Sequence, residues 1–123
     1  MPKTVAIIGA SADRSKYSNK AVRAFVRQGY PVVPIHPKDT QIEGLTVYKS
    51  VADVPGPIDM VSLYLPPAVG ERVLDDVARK GIVELWVNPS AESEELVAKA
   101  RSLGLKPILA CSIVGIGESP SSY

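Results

Sequence analysis

The stretch Val5-Ala6-Ile7-Ile8-Gly9-Ala10-Ser11-Ala12, answered after a helical segment by Pro31-Val32-Val33-Pro34-Ile35-His36-Pro37-Lys38, decides the fold. Thr4 to Ile8 is short, β-branched and continuously apolar, as suits a strand covered on both faces. Asn19 to Gln28 places Ala21, Val22, Phe25 and Val26 at helical spacing, with Ser18 as the expected N-cap and Gly29 as the stop. Tyr30 to Ile35 is expected as the second strand. A strand, a glycine turn, a helix and a second strand make the opening βαβ unit of a nucleotide-binding sheet.

Outward from that unit the pattern repeats. Asp39 to Lys49 reads as a polar loop around Gly44, with an extended piece at Leu45-Thr46-Val47, and Ser50 to Val54 as one helical turn broken by Pro55-Gly56-Pro57. Ile58 to Leu65 is the expected third strand, and Pro67 starts a helix with the stripe Val69, Val73, Leu74, Val77 and Ala78, ended by Gly81. Ile82 to Val87 follows as strand four. Ser90 or Ser93 caps a helix that runs through Leu96, Val97 and Ala100 to Leu103, and Lys106 to Ala110 is strand five. Gln28-Gly29-Tyr30, Lys80-Gly81-Ile82 and Leu103-Gly104-Leu105 join helix to strand in the same way. Such alternation predicts a three-layer, Rossmann-like, doubly wound α/β domain with a mainly parallel sheet of about five strands. Residues 1–111 form that domain, and 112–123, rich in Gly, Ser and Pro, read as a C-terminal loop and mobile tail.

Composition narrows the function. Length 123 is one domain, and 14 basic against 13 acidic side chains leave a net charge of +1, so no field favours nucleic acid or an anionic membrane. No run approaches membrane-spanning length, and Met1-Pro2-Lys3-Thr4 leads straight into the first strand without a signal-peptide pattern. A single cysteine, Cys111, fits a reducing, cytoplasmic setting. His36 is the only histidine and no spaced ligand cluster surrounds it, so neither a metal site nor a catalytic pair is expected.

In doubly wound sheets ligands sit beyond the carboxyl ends of the strands. Here those ends are Gly9-Ser11, His36-Lys38, Leu65-Pro67, Asn88-Ser90 and Cys111-Ser112. Gly9 permits close backbone approach, Ser11 and Ser15 supply hydroxyls, Arg14 a guanidinium fork, and the following helix its positive end. The sum is an anion site; the plainer alternative is a small-residue βα turn with a solvated arginine. A dinucleotide fingerprint would place glycines where Ser11 and Arg14 stand, and an acid where His36 stands. His36 and Lys38 instead favour a phosphorylated ribose or another anion. Trp86 reads as core or interface, and Tyr17 as solvent-side packing or an adenine stack.

The ordered set Val5 to Ser11, Ser18-Asn19-Lys20, Gly29 to Lys38, Leu65-Pro66-Pro67, Leu85-Trp86-Val87 and Gly104-Leu105 through Cys111 resembles the small CoA-binding protein family. That family is similar to the N-terminal domain of the succinyl-CoA synthetase α subunit and of ADP-forming acyl-CoA synthetases. The resemblance implies CoA or an acyl-CoA as ligand. It places Gly9, Ala10 and Ser11 by the phosphates, Pro37 and Lys38 by the adenosine and its 3′-phosphate, and Leu65, Pro66 and Pro67 against the cofactor. His36 stands where the family has Asn, Asn88-Pro89-Ser90 where it often has Gln-x-Gly, and Leu109-Ala110-Cys111 where Asp-Arg-Cys is common. The synthetases hold their phosphohistidine and nucleotide-grasping functions on further domains, so non-catalytic binding is expected here, with a homodimer or a protein partner. The rivals are an NADP-linked or nucleotide-modifying enzyme, and an interaction module or partner subunit of a split acyl-CoA synthetase. A mixed disulfide between Cys111 and the CoA thiol would need an exposed, activated thiolate.

Overall fold

The computed structural model describes residues 3–123; Met1-Pro2, the start of the segment expected to lead into strand one, lie outside the described residues. Five parallel strands form the central sheet in the order β2-β1-β5-β6-β7: β1 is Val5–Ile8, β2 Val32–Ile35, β5 Met60–Leu63, β6 Glu84–Val87 and β7 Lys106–Leu109. The loop expected around Gly44 is a two-stranded antiparallel hairpin, β3 (Gln41–Ile42) with β4 (Leu45–Thr46). Helices α1 (Tyr17–Arg27), α2 (Pro67–Arg79), α3 (Glu94–Ser102) and α4 (Ser112–Gly115) complete the fold. Strand order reverses at β1, whose neighbours are β2 on one side and β5 on the other.

Alternation along the strands makes the three layers. Val5 and Ile7 face a core with Ala21, Val22, Phe25 and Met60, beneath α1. Ala6 and Ile8 face the opposite core with Val61, Leu74, Val77, Leu85 and Leu96, beneath α2 and α3. All four residues of β1 are buried, which is why its sequence is an unbroken apolar run. The α2 stripe is Leu74 and Val77 at its centre, with Val73 and Ala78 half-buried beside them; Val69 lies on the exposed side.

Two local expectations change. Helix α1 begins at Tyr17, so Ser18 is buried inside its first turn and Lys16 takes the N-cap position without a side-chain cap. The coil starts early because Asp13 organises the loop, its carboxylate accepting from the Ser15 N–H and its carbonyl from the Lys16 N–H. At α3 the choice between two serines falls to Ser93, whose hydroxyl accepts from the Leu96 N–H.

The segment from Ser112, expected as loop and tail, is instead helix α4 and a 3₁₀ turn at Pro120–Ser122. Its apolar side chains drive the packing: Ile113 is fully buried, and Ile116 and Tyr123 join the α1-side core. Helix α4 fills the layer over β5 and β6, where Trp86 lies beneath it. A methyl group added at Gly115 would stand 2.6 Å from the Trp86 ring. Gly115→Ala is therefore expected to lower stability by about 1–3 kcal/mol, the usual cost of overpacking. Chemical denaturation measures it, and a loss below about 0.5 kcal/mol would reject the contact.

Each edge strand carries an outward proline. The Lys106 N–H bonds inward to the Val83 carbonyl, so alternation turns Pro107 to the open side of β7. On β2 the outward carbonyl of Pro34 accepts from the Tyr48 N–H, and Tyr48 covers part of that edge.

Candidate functional site

The carboxyl ends of β1, β2 and β5 enclose a cavity of about 490 Å³ at the reversal of strand order. Its walls include Gly9, Ala10 and Ser11 after β1, His36 and Pro37 after β2, and Leu65 and Pro66 after β5. These seven sequence-selected residues come together there. Arg14, Ser15, Lys38 and Pro67 do not line it. Arg14 turns toward the hairpin, its Nε 3.5 Å from the Glu43 carboxylate. The Ser15 hydroxyl donates to Asp13 at 2.6 Å, and Ser15 hydrogen bonds hold the Asp13 carboxyl below its ordinary range. Lys38 is exposed at the rim, beside Pro37.

Gly9 contributes by lacking a side chain. Its N–H and that of Ala10 both donate to the Ile35 carbonyl at 3.2 Å, so backbone donors for an anion begin at Ser11. Gly9 has φ +87°, and a Cβ there would lie 3.1 Å from both Leu65 Cδ2 and the Tyr64 carbonyl carbon. The following loop is pinned by fully buried Asn19. Its amide donates to the Ser11 carbonyl at 2.9 Å and to Glu43 at 3.1 Å, while its oxygen accepts from Arg23 at 2.8 Å. The Ser11 hydroxyl accepts from the Asp13 N–H and keeps its own proton to donate.

The cations on the cavity wall are Lys16, at the start of α1, and Lys49. Sequence reasoning selected neither. Lys49 arrives because Tyr48 bridges to Ile35 beside β2, a pairing without a local sequence pattern. His36 turns Nδ1 to its own loop, where it accepts from the N–H groups of Lys38 (3.1 Å) and Asp39 (2.9 Å). The proton of the neutral ring therefore sits on Nε2, available as a donor.

Tyr64 also lines this cavity, and it lines a second one of about 460 Å³ as well. The second cavity is bounded by Tyr17, Pro89, Ser90, Cys111, Val114 and Pro120, with Asn88 at its base. Beneath Tyr64 runs a buried polar network. Asn88 donates to the Ser62 hydroxyl and the Leu63 carbonyl, each at 2.9 Å, and accepts from the Ser112 N–H at 2.8 Å. The Ser62 and Ser112 hydroxyls lie 2.7 Å apart, and the Tyr64 hydroxyl is 3.3 Å from that of Ser112. Burial pushes the Tyr64 phenol up to about 12, against the opposing pull of Ser112 and Ser62, so the group is neutral across the physiological range. A larger hollow of about 560 Å³ beside β7 opposes Glu92 and Glu94 to Arg101, and offers an anion no consistent charge.

The cavity at the strand-order reversal gathers the Gly9, His36 and Leu65 loops that the CoA resemblance named, but its lysines are Lys16 and Lys49 rather than Lys38. The family described as CoA binding domain matches residues 3–116. The chain belongs to that family. This CoA-binding domain is 30% identical to the alpha subunit of ADP-forming acetate–CoA ligase I from Pyrococcus furiosus, over 98% of this chain and 29% of that subunit. The chain thus spans under a third of that relative. Among solved structures, the domain superposes on a conserved hypothetical protein from Pyrococcus furiosus with a TM-score of 0.84 and 32% identity, over 92% of this chain and 98% of that one. It also superposes on dinucleotide-forming acetyl-coenzyme A synthetase 1 from Ca. Korarchaeum cryptofilum, with a TM-score of 0.79 and 31% identity, over 89% of this chain and 26% of that one. The residues present fit CoA: Lys16, Lys49 and the imidazole donor suit phosphates, and Gly9, on the cavity wall, lets the end of β1 close tightly on Leu65 and the Tyr64 backbone. Among the described residues no helix is long and apolar enough to cross a membrane.

Proposed function

We propose that this CoA-binding domain recognises CoA or an acyl-CoA reversibly and without catalysis. The carrying observation is the cavity that joins Gly9-Ala10-Ser11, His36-Pro37 and Leu65-Pro66 with two lysines. The phosphates lie against Ser11, Lys16 and Lys49, with the positive end of α1 adding its field. The adenosine packs by Pro37 and the Leu65-Pro66 wall, with Pro67 setting the turn behind it. Lys38, long and exposed, reaches in from the rim, and exposed Arg14 joins it only by leaving Glu43, with Ser15 shaping the loop between. The non-catalytic reading is supported by the commitment of His36 Nδ1 to two backbone N–H groups, and by the placement of Cys111 in the other cavity.

A thermal-shift panel of CoA, dephospho-CoA, NAD, NADP and ATP tests the ligand, because a ligand bound to the folded state raises apparent stability. CoA is expected to give the largest rise, and stabilisation by NADP but not CoA would overturn the reading. Lys16→Ala with Lys49→Ala is expected to weaken CoA and dephospho-CoA alike by about tenfold or more. Lys38→Ala should weaken CoA alone and erase its preference over dephospho-CoA.

A second reading makes the domain one part of a split acyl-CoA synthetase. It is favoured by the likeness to a ligase alpha subunit of which this chain spans 29%. Co-purification with a nucleotide-grasping partner, restoring ADP-forming ligase activity, would support it.

A further inference from the structure

We propose that the cavity beyond Tyr64 is the compartment for the acyl group, and that it selects acyl groups without charge. The inference rests on the CoA reading. The two cavities share Tyr64 but differ in electrostatics. The first has Lys16, Lys49 and His36 on its walls, whereas no Lys, Arg, Asp, Glu or His lines the second. A ligand with a phosphorylated head and a neutral tail matches that division. The tail compartment is walled by the rings of Tyr17 and Tyr64, by Pro89 and Pro120, and by Val114. An acyl group ending in a carboxylate would set its charge against apolar wall and find no cation to pair with, which is costly. A straight or aromatic hydrocarbon acyl group loses nothing of that kind and gains apolar contact.

Tyr64 is the specificity-determining residue because, among the described residues, it alone lines both compartments. Its hydroxyl is tethered to Ser112, and Ser112 to Asn88 and Ser62, all buried. The tether holds the Tyr64 hydroxyl against Ser112 and so orients the ring that lines the second cavity.

Calorimetric titration of the whole chain with CoA, butyryl-CoA, benzoyl-CoA and succinyl-CoA tests this. Butyryl-CoA and benzoyl-CoA are expected to bind at least as tightly as CoA, and succinyl-CoA at least tenfold more weakly. Val114→Arg adds a cation at an exposed wall position and should shift the succinyl-to-butyryl affinity ratio toward succinyl by tenfold or more. Tyr64→Phe keeps the ring but removes the tether, and should narrow the discrimination among acyl groups. Equal binding of all four ligands, or a ratio unmoved by Val114→Arg, would overturn the acyl compartment while leaving the CoA site standing. No binding of CoA itself would overturn both.

Discussion

Gly9→Ala is expected to reduce CoA affinity at least tenfold and to destabilise the fold by about 2 kcal/mol. Two effects add. At φ +87° an L side chain is strained. The new methyl would also stand 3.1 Å from Leu65 and from the Tyr64 backbone, which are the β5 wall of the cavity. Gly9, Tyr64 and Leu65 all line the cavity, so any shift that relieves the contact reshapes its wall, and binding suffers beyond what strain alone would cause. Titration with CoA separates the two, because a purely structural change lowers Tm while the folded fraction still binds normally. Unchanged CoA affinity in the variant would remove the first loop from the site. Gly9→Val, with a bulkier group at the same point, should abolish binding.

Asn88→Ala carries the largest stability effect we expect. It strands the Leu63 carbonyl and the Ser112 amide and takes one of two partners from the Ser62 hydroxyl, all at the buried centre of the domain. Each buried group left without a partner costs about 1–3 kcal/mol. Partial repair among Ser62, Ser112 and Tyr64 holds the total to about 3 kcal/mol, or roughly a 10 °C fall in Tm for a domain of this size. A loss under about 1 kcal/mol would mean that the network is not the clasp joining β5, β6 and α4. Asn88→Asp makes a sharper comparison. It keeps the acceptor for the Ser112 amide but sets a carboxylate oxygen against the Leu63 carbonyl, which can only accept, so it should destabilise most at neutral pH.

The opening βαβ unit is readable in the sequence because each of its elements has a local cause. Val5 to Ile8 is apolar on both faces, α1 has its stripe, and Gly29 ends it with φ +88°. The strand-end loops follow from that alternation, and so does the cavity between them. What the sequence hides is what arrives from elsewhere. Lys49 reaches the cavity through a bridge made by its neighbour Tyr48. Ser62, Asn88 and Ser112 meet only after three strands are in register, and no local pattern pairs them. Helix α4, Ser112–Gly115, is a single turn, too short to show a period. Its burial depends on Ile113 finding open space over the middle of the sheet. Asn19 is an instructive case: it falls in the resemblance, yet only the structure gives its role as the clamp on the Ser11 loop.

The outward prolines of β2 and β7 bear on how this domain meets other molecules. A row of free amides and carbonyls is an indiscriminate adhesive, since any extended peptide can continue it. With Pro34 and Pro107 interrupting the two rows, a visiting chain is offered no uninterrupted template, whether it is another copy or a stray unfolded segment. Encounters must then be judged by side chains, which differ from one protein to the next. Neither edge invites indiscriminate strand addition, and whatever binds the domain productively must recognise its particular surface.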